Sequence, residues 1–164
     1  MTKPKLQHEL KKKRPFESAE EEAALSVLRT SDRLQICFTR LFRDYGLTSS
    51  QYNILRILRG EQKPLPILEI ANRTITVVPG ITGLIDRLEQ AGFVTRIRCD
   101  KDRRVIYVAP TERGLETLTA LEPPLAELHG TLLGHLSHAE LRELIRLLEK
   151  VREPLNDVVS ERGA

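Results

Sequence analysis

Tryptophan is absent from the 164-residue sequence, methionine occurs once, and there are only two cysteines, Cys37 and Cys99. Two cysteines cannot form the disulfide framework that stabilises many small secreted domains, so we expect a protein of the reducing cytoplasm. No apolar run reaches the length of about 18 residues that a membrane-spanning helix needs, and the charged N-terminus lacks the apolar segment of a secretion signal. The length suits one domain with a substantial core, with or without helical extensions.

The sequence motifs of common enzymes are also absent. There is no glycine-rich phosphate loop and no H-E-x-x-H, C-x-x-C or G-x-S-x-G motif. His129, His135 and His138 are close in sequence, but no cluster of cysteines or carboxylates completes a zinc-like set beside them. We therefore expect a protein that is not an enzyme and that needs neither a metal nor a cofactor.

The net charge of +3 is unevenly distributed along the chain. Residues 1–15 carry six basic residues against one acidic residue and are interrupted by Pro4 and Pro15, which predicts a mobile arm. Residues 87–113 contain seven basic and four acidic residues, whereas residues 114–164 contain five basic and nine acidic ones. A polyanion is therefore expected to meet the middle of the chain rather than its C-terminal part.

Capping patterns and apolar spacing divide the chain into predicted helices. The capping patterns are Ser18-x-x-Glu21, Thr48-x-x-Gln51 and Ser137-x-x-Glu140. The predicted helices cover residues 18–45, 48–60, 67–73, 79–90 and 112–136, followed by one that begins at 138. Thr111 is positioned to cap the helix over 112–136, and Pro123 and Pro124 are expected to kink or break it because proline has no amide hydrogen. Pro154 is expected to bend the last helix.

The first and last helices each carry an apolar stripe at helical spacing. These stripes are expected to cover each other and then a second copy of the chain, because nothing else in the sequence accounts for their burial. The stripes consist of Leu25, Leu28, Leu34, Cys37, Phe38, Leu41 and Phe42 in the first helix, and of Leu141, Leu144, Ile145, Leu148 and Val151 in the last.

Residues 67–92 have the pattern of a helix-turn-helix, a short helix followed by a turn and a second helix. In the second helix, Ile81, Leu84, Ile85 and Leu88 fall on one face, which predicts that this face is buried. Small residues occupy the opposite face near the N-terminal end, so this face can approach another surface closely. Two glycines in a helix cost on the order of 1 kcal/mol each relative to alanine. Close approach to DNA can compensate that cost, and tight helix packing is the alternative explanation.

A basic hairpin follows this helix directly. Residues 93–98 and 105–109 are rich in β-branched and aromatic residues, and they flank the charged loop 99–103. A helix-turn-helix followed by a hairpin is typical of a winged helix. Arginines at the tip of such a wing can reach phosphates or a minor groove.

The run LIDRLEQAGFVTRIRCDKDRRVIYVAPTERG, residues 84–114, resembles the core of the MarR family of bacterial transcription regulators. In that family a DRLE..G.V.R pattern ends the recognition helix, and a wing of the form Asp-x-Arg, a β run and LT..G follow. These positions match Asp102, Arg104, Thr111 and Gly114. The run LTSSQYNILRIL, residues 47–58, is similar to the family's second helix, and the resemblance extends over about residues 25–155.

The resemblance implies an obligate homodimer whose terminal helices interlock and whose two recognition helices enter successive major grooves of a pseudo-palindrome. It implies a transcription regulator, which we expect to be a repressor, with Asp102 shaping the wing. The residues expected to contact DNA are Thr76, Pro79, Gly80, Thr82, Gly83, Arg87, Arg103 and Arg104. Gly83 stands where many members have a bulkier polar or basic side chain, which argues against direct base readout from that position, and Pro110 replaces the usual leucine before Thr111.

The expected fold is therefore mainly α with a small β-hairpin wing, a winged helix-turn-helix flanked by N- and C-terminal dimerisation helices. Its predicted parts are a basic mobile arm (residues 1–15), a first dimerisation helix (16–46), a winged helix-turn-helix DNA-binding lobe (47–111) and C-terminal dimerisation helices (112–160).

The family also binds small, often aromatic effectors between the dimerisation helices and the DNA-binding lobe. The resemblance therefore implies an effector pocket here near Arg40, Tyr45 and Tyr52. Two other functions remain open. One is a thiol-based redox sensor, although Cys37 lies later in its helix than the reactive cysteine of the family's sensors and is expected to be buried, whereas Cys99 lies in the wing. The other is a winged-helix protein-interaction module without DNA binding, which the basic middle of the chain argues against.

Overall fold

The structure, a computed structural model, describes residues 5–76, 80–98 and 105–161. It confirms a mainly helical chain with a small antiparallel sheet. The helices and strands in chain order are α1 (Lys5–Glu9), α2 (Ala19–Asp44), α3 (Ser49–Glu61), β1 (Leu65–Pro66), α4 (Ile67–Asn72), α5 (Ile81–Gln90), β2 (Val94–Arg98), β3 (Ile106–Pro110), α6 (Glu112–Leu133) and α7 (His138–Glu161). Within the described ranges, no helix is both long enough and apolar enough to cross a membrane.

The predicted side-chain caps begin the helices where the sequence indicates. Ser18 Oγ accepts a hydrogen bond from the Glu21 N–H at 3.2 Å before α2. Before α3, Thr48 Oγ1 accepts from the Gln51 N–H at 3.3 Å, and the Gln51 side chain accepts from the Thr48 N–H at 2.9 Å. The same reciprocal pair joins Ser137 to Glu140 before α7. These contacts satisfy amide groups that have no partner inside the helix.

The chain divides into two compact units, Met1–Glu122 and Pro123–Ala164. Pro123 and Pro124 do not end α6, which continues as one helix to Leu133, so of the kink or break expected at the proline pair the break is wrong. A proline inside a helix removes one backbone hydrogen bond and its ring crowds the carbonyl four residues earlier, yet the residues on both sides of the pair are helical. α7 likewise continues through Pro154.

The core of the first unit surrounds α3. Ile54, Leu55 and Leu58 of α3 are completely buried. The other side chains with less than 2% exposure come from α4, α5, β3 and the first half of α6, and they are Ile70, Ile85, Leu88, Val108, Leu118 and Leu121. This arrangement places the two helices of the helix-turn-helix and the sheet around one central helix.

The sheet contains one strand more than the predicted hairpin. Its order is β1-β3-β2, with every pair antiparallel. β2 and β3 form the hairpin, in which Arg96 is opposite Val108. β1 adds only Leu65 and Pro66 to the other edge of β3, where Leu65 pairs with Val108. The hairpin is thereby attached to the segment that leads into α4.

Thr111 joins the hairpin to α6. Its Oγ1 donates a hydrogen bond to the Gly92 carbonyl at 2.7 Å and accepts one from the Gly114 N–H at 3.1 Å. Its own N–H donates to the Phe93 carbonyl at 3.0 Å. The predicted cap is thus confirmed, and the turn at Gly92, whose φ is +75°, is held against the start of α6.

The N-terminal basic segment has regular structure within its described part. The sequence predicted a mobile arm, whereas α1 and a turn with Lys11 at a φ of +51° occupy this region. The buried Gln7 side chain donates to the Lys12 carbonyl at 3.3 Å, and Lys12 Nζ lies 3.3 Å from Glu21 Oε1. Lys13 and Arg14 are exposed.

The long helices leave much apolar surface uncovered within one chain. In α2, Leu28 is 66% exposed and only Phe42 is buried. In the second unit, Ile145 is 55% exposed and Val151 50% exposed, with Leu144, Leu147 and Leu155 also exposed on α7. Contiguous apolar surface of this kind typically marks an interaction site.

Candidate nucleic-acid interface

The helix-turn-helix consists of α4, α5 and the segment between them. Its first helix is fixed to α3, since the Arg73 guanidinium lies 2.5 Å from Glu61 Oε2 and 2.7 Å from Glu69 Oε1. Thr74 Oγ1 donates to the Ala71 carbonyl at 2.8 Å and closes the end of α4. Hydrogen bonds from Arg73 and then Lys63 lower the pKa of the Glu61 carboxyl, so this anchor is ionised at neutral pH.

The faces of α5 largely agree with the sequence pattern. Ile85 and Leu88 are completely buried, whereas Ile81 and Leu84 are half-buried. Thr82 and Arg87 are exposed on the other face, as are Gly80 and Thr76 in the segment that precedes the helix. Of the residues predicted to contact DNA, these four and Gly83 therefore lie along or just before one accessible face.

The backbone conformation at residue 80 requires glycine there, independently of what the face of α5 contacts. It is the N-cap of α5, with φ +71° and ψ +41°, a left-handed conformation that side chains other than glycine rarely adopt. No side chain caps this end, and the first turn contains no acidic residue. The free N–H groups and the positive end of the helix dipole are suited to bind a phosphate.

Gly83 lies inside α5 and has open space beside it. A Cβ built at this position meets no atom of the described chain within 4 Å. Packing against the described residues therefore does not explain this glycine, and on their side the position is open to approach by another surface. The Nε of Arg87 donates to the Gly83 carbonyl at 3.1 Å, so the arginine lies along the same bare face.

Arg96 of β2 links the hairpin to α5. Its Nη1 lies 2.6 Å from Glu89 Oε2, and its Nη2 lies 2.6 Å from Asp86 Oδ1. The Arg96 backbone N–H also donates to Glu89 Oε1 at 3.0 Å, and Nη2 donates to the Thr82 carbonyl at 3.4 Å. One side chain thus contacts α5 in its first, second and third turns.

Arg96, Asp86 and Glu89 form a cluster of one positive and two negative side chains. Partial burial disfavours the charged guanidinium, but hydrogen bonds with Asp86 and Glu89 outweigh it and raise the pKa of Arg96. The single positive charge of the guanidinium therefore offsets one of the two carboxylate charges while it bonds to both, and the three side chains keep a net charge of −1. Arg87 and Arg98 remain exposed near this surface, at the end of α5 and of β2.

The roles of Asp86, Glu89 and Arg96 were not predicted from the sequence. No partner was predicted for any of the three. The available signal was an acidic pair at i and i+3 of a helix, followed by an arginine in the next strand. Because that arginine is distant from both acids in sequence, only the packing of the hairpin on α5 identifies the pairs.

Several predicted site residues lie outside the described residues. They are Pro79, Cys99, Asp102, Arg103 and Arg104. Their assigned roles stay predictions. The base of the wing is described, and there β2 and β3 pair up to Arg98 opposite Ile106.

The predicted effector residues are not all in one environment. Tyr52 is half-buried and stacks on Phe42, with ring centroids 4.1 Å apart and an interplanar angle of 14°. Burial raises the pKa of the Tyr52 phenol, and Arg56 and Arg59 oppose that shift. The phenol is therefore protonated at neutral pH and able to donate a hydrogen bond. Tyr45 is half-buried at the end of α2, and Arg40 is exposed.

A shallow depression of about 390 Å³ lies elsewhere in the first unit and contains none of these three residues. It is lined by Leu58, Arg59, Gln62, Lys63, Pro64, Ala109, Pro110 and Leu115.

Cys37 was expected to be buried, and within the single chain it is only half-buried. The expectation is wrong at the level of one chain because α2 is covered on too little of its surface.

Known proteins with similar sequences and structures share this architecture. The model of the MarR family matches residues 47–106. The HTH-type transcriptional regulator FarR of Neisseria gonorrhoeae is 26% identical over 87% of this chain and 99% of its own length. The homoprotocatechuate degradative operon repressor of Escherichia coli is 24% identical over 77% of this chain and 84% of its own length.

A solved structure is more similar in sequence. The MarR transcription factor from Planctomyces limnophilus is 44% identical, with a TM-score of 0.65 and coverage of 82% of this chain and 98% of that protein. The winged helix-turn-helix geometry and this level of identity agree with the motif resemblance. The chain therefore belongs to the MarR family of DNA-binding winged helix-turn-helix transcription regulators.

Proposed function

We propose that the protein is a repressor that binds a pseudo-palindromic operator as a homodimer and is released by a small aromatic effector. Each subunit inserts α5 into the major groove, with Thr76, Gly80, Thr82, Gly83 and Arg87 towards the DNA. The wing arginines contact the flanking backbone or minor groove. The family relative from Escherichia coli that is named as an operon repressor supports this direction of control.

The bare face of α5 is the observation that carries the proposal. Gly83 and the uncapped N-terminus leave the backbone open to close approach, while Arg96 forms ion pairs with both acidic residues of the same helix and offsets one of their two charges. If α5 had no partner outside its own chain, alanine in place of glycine at position 83 would make the helix more stable. Phosphates and base edges of a major groove fit a surface with these properties.

The test of DNA binding is selection of bound fragments from genomic and random DNA with the purified full-length chain. We expect recovery of sequences with two related half-sites whose centres are about one helical turn of DNA apart. Recovery of no preferred sequence, together with binding that is equal for all DNA, would contradict operator recognition. Recovery of a single half-site would contradict the proposed symmetry.

The exposed apolar stripe of α7 supports the homodimer, because a second copy offers the matching stripe. We expect the double variant Ile145→Glu/Val151→Glu to lose the dimer, since two charges cannot be buried in an apolar interface without partners. Sedimentation of the wild type at low micromolar concentration should give twice the mass of one chain. The variant should give a single-chain mass, or it should unfold.

The control for added charge is Arg152→Glu on the same helix, which is exposed and not part of the apolar stripe. This variant should remain dimeric. A compact wild-type monomer at these concentrations would refute the assembly, and a dimer that tolerates both glutamates would remove α7 from the interface.

The wing predicts a distinct dependence on salt. Loss of one phosphate contact lowers the slope of log K against log salt by about 0.9 per subunit and weakens binding to all sequences alike. We expect Arg104→Ala to show this change with an unaltered dimer mass and thermal stability. Arg103→Ala should have a smaller effect. Binding curves on the selected operator and on random DNA at several salt concentrations measure both, and unchanged affinity of Arg104→Ala at every salt would exclude a wing contact from this residue.

The effector part of the proposal rests on the stacked pair Phe42–Tyr52. A protonated phenol with Arg56 among its charged neighbours offers a donor and positive charge to an aromatic carboxylate or phenol, whereas the charge of Arg59 is offset by Glu122 at 2.6 Å. Screening such compounds for release of the dimer from its operator tests this part. If a compound releases the Tyr52→Phe variant from the operator at the same concentration as the wild type, its binding site does not depend on the Tyr52 hydroxyl, and the proposed effector site is wrong.

A further inference from the structure

Two aliphatic side chains on the helix-turn-helix are far more exposed than the other large apolar residues described. Ile75 is 81% exposed and Leu68 is 78% exposed, whereas the next value is 66% for Leu28. Leu68 belongs to α4, and Ile75 lies in the segment between α4 and α5. Ile75 is adjacent to Thr76, which is also exposed. An isoleucine at this exposure gains nothing from the fold of its own chain.

The backbone before Ile75 is held in place, so its exposure does not arise from a loose helix end. The Arg73 N–H donates to the Ile70 carbonyl at 3.1 Å, and the Thr74 N–H donates to the Ala71 carbonyl at 3.4 Å. The Arg73 and Thr74 side chains fix the same turn, as described above. Ile75 is therefore presented to solvent from an ordered base.

The position of Ile75 relates it to the DNA-facing surface. In helix-turn-helix proteins the first helix crosses the DNA backbone, and the second enters the major groove with its N-terminal end at the bases. Ile75 and the exposed Thr76 precede the second helix, and Gly80 and Thr82 are exposed at the N-terminal end of that helix. Leu68 belongs to the first helix, the one that crosses the DNA backbone in such proteins.

Aliphatic carbon has one specific partner in a major groove. The base edges there offer hydrogen-bond donors and acceptors, and the C5-methyl group of thymine is the apolar feature. Isoleucine carries no charge, so it adds nothing to phosphate binding. We propose that Ile75 packs against the C5-methyl group of one thymine in each operator half-site and determines specificity at that position. This inference rests on the proposed operator binding and adds a residue and a base to it.

The experiment compares thymine with deoxyuridine in the selected operator. Deoxyuridine pairs as thymine does but lacks the methyl group, and each thymine of the half-sites is replaced singly and in symmetric pairs. For the wild type we expect one position at which the replacement weakens binding about fourfold, or about sixteenfold when both half-sites are changed. For Ile75→Ala the same replacement should have no effect, whereas Ile75→Val should retain most of the sensitivity.

Leu68→Ala is the matched control, because it removes an equally exposed aliphatic side chain from the other helix. This variant should keep the wild-type sensitivity to deoxyuridine. Ile75→Ala should keep the wild-type melting temperature, since the side chain has little contact with its own chain.

The results separate this inference from the proposed function. Two results would overturn the inference and leave operator binding intact. In the first, the operator binds tightly but no replacement of thymine by deoxyuridine weakens binding. In the second, a replacement weakens binding of the wild type and of Ile75→Ala equally. Undiminished operator affinity in Ile75→Ala would also overturn the inference and would favour a protein contact for this side chain. Absence of any preferred DNA would overturn both.

Discussion

Replacing Arg96 by alanine is expected to weaken operator binding by at least about tenfold. The variant loses the contacts that hold α5 against β2, and it leaves the carboxylates of Asp86 and Glu89 unpaired on the helix that we propose enters the major groove. Each partly exposed pair contributes on the order of 1 kcal/mol, between the values for exposed and buried ion pairs. Repulsion of phosphate by two free carboxylates adds to this loss, and about 1.4 kcal/mol corresponds to a factor of ten in affinity.

Binding to operator and to random DNA at two salt concentrations measures the effect. The loss should be larger for the operator than for random DNA, because a displaced recognition helix disturbs base contacts more than phosphate contacts. Combining Arg96→Ala with Asp86→Asn and Glu89→Gln should restore part of the non-specific affinity but not the specificity. Arg96→Lys should fall between wild type and alanine, since one ammonium cannot reproduce the two-armed contact.

Arg146 provides the comparison for a surface ion pair. It lies 2.7 Å from Glu143 on α7, where both side chains are more than half exposed. Arg146→Ala should leave operator binding unchanged. An Arg96→Ala protein that binds the operator as the wild type does would show that α5 is positioned without this cluster.

Gly114→Ala is expected to destabilise the fold by about 1–3 kcal/mol, the usual range for forcing an extra methyl group into a packed site. A Cβ at this position would overlap the backbone carbonyl of Phe93 and would also lie 3.5 Å from a methyl group of Leu55. A carbonyl oxygen in the hairpin cannot move aside without disturbing the Thr111 contacts. Thermal unfolding should show a decrease of about 2–4 °C for each kcal/mol lost in a chain of this size.

Gly60→Ala is the matched substitution in α3. A Cβ there meets no atom of the described residues within 4 Å, and the position is helical. This variant should gain about 0.5–1 kcal/mol from helix propensity. Equal melting temperatures for Gly114→Ala and the wild type would show that the junction of wing and α6 is looser than the structure indicates.

Features set by near neighbours were predictable from the sequence. The caps at Ser18, Thr48 and Ser137 involve residues three positions apart, and the buried face of α5 follows helical periodicity. The β-branched and aromatic composition also predicted the two strands of the wing, whose limits lie within one residue of those observed. These properties depend on contacts between residues that are close in sequence, where pattern and geometry correspond directly.

Features set by distant partners were not predictable in this way. β1 has only two residues, one of them proline, and it becomes a strand because Val108 and Tyr107 of β3 pair with it. Gly80 was interpreted as a helix residue, yet its left-handed backbone ends the turn before α5. α1 also lacked a local signal, because its short basic sequence resembles that of a disordered arm. In each case a tertiary contact or a backbone angle decides the conformation.

The bare position at Gly83 has a consequence for how operator preference can change. A side chain introduced there meets no described atom of its own chain, so the fold places little restriction on which residue it is. Most substitutions would raise the helix propensity of α5, and the new side chains would reach outwards from the surface that we propose faces DNA. Duplicated copies of this gene could therefore acquire separate target sets through one codon, without a compensating change elsewhere in the protein.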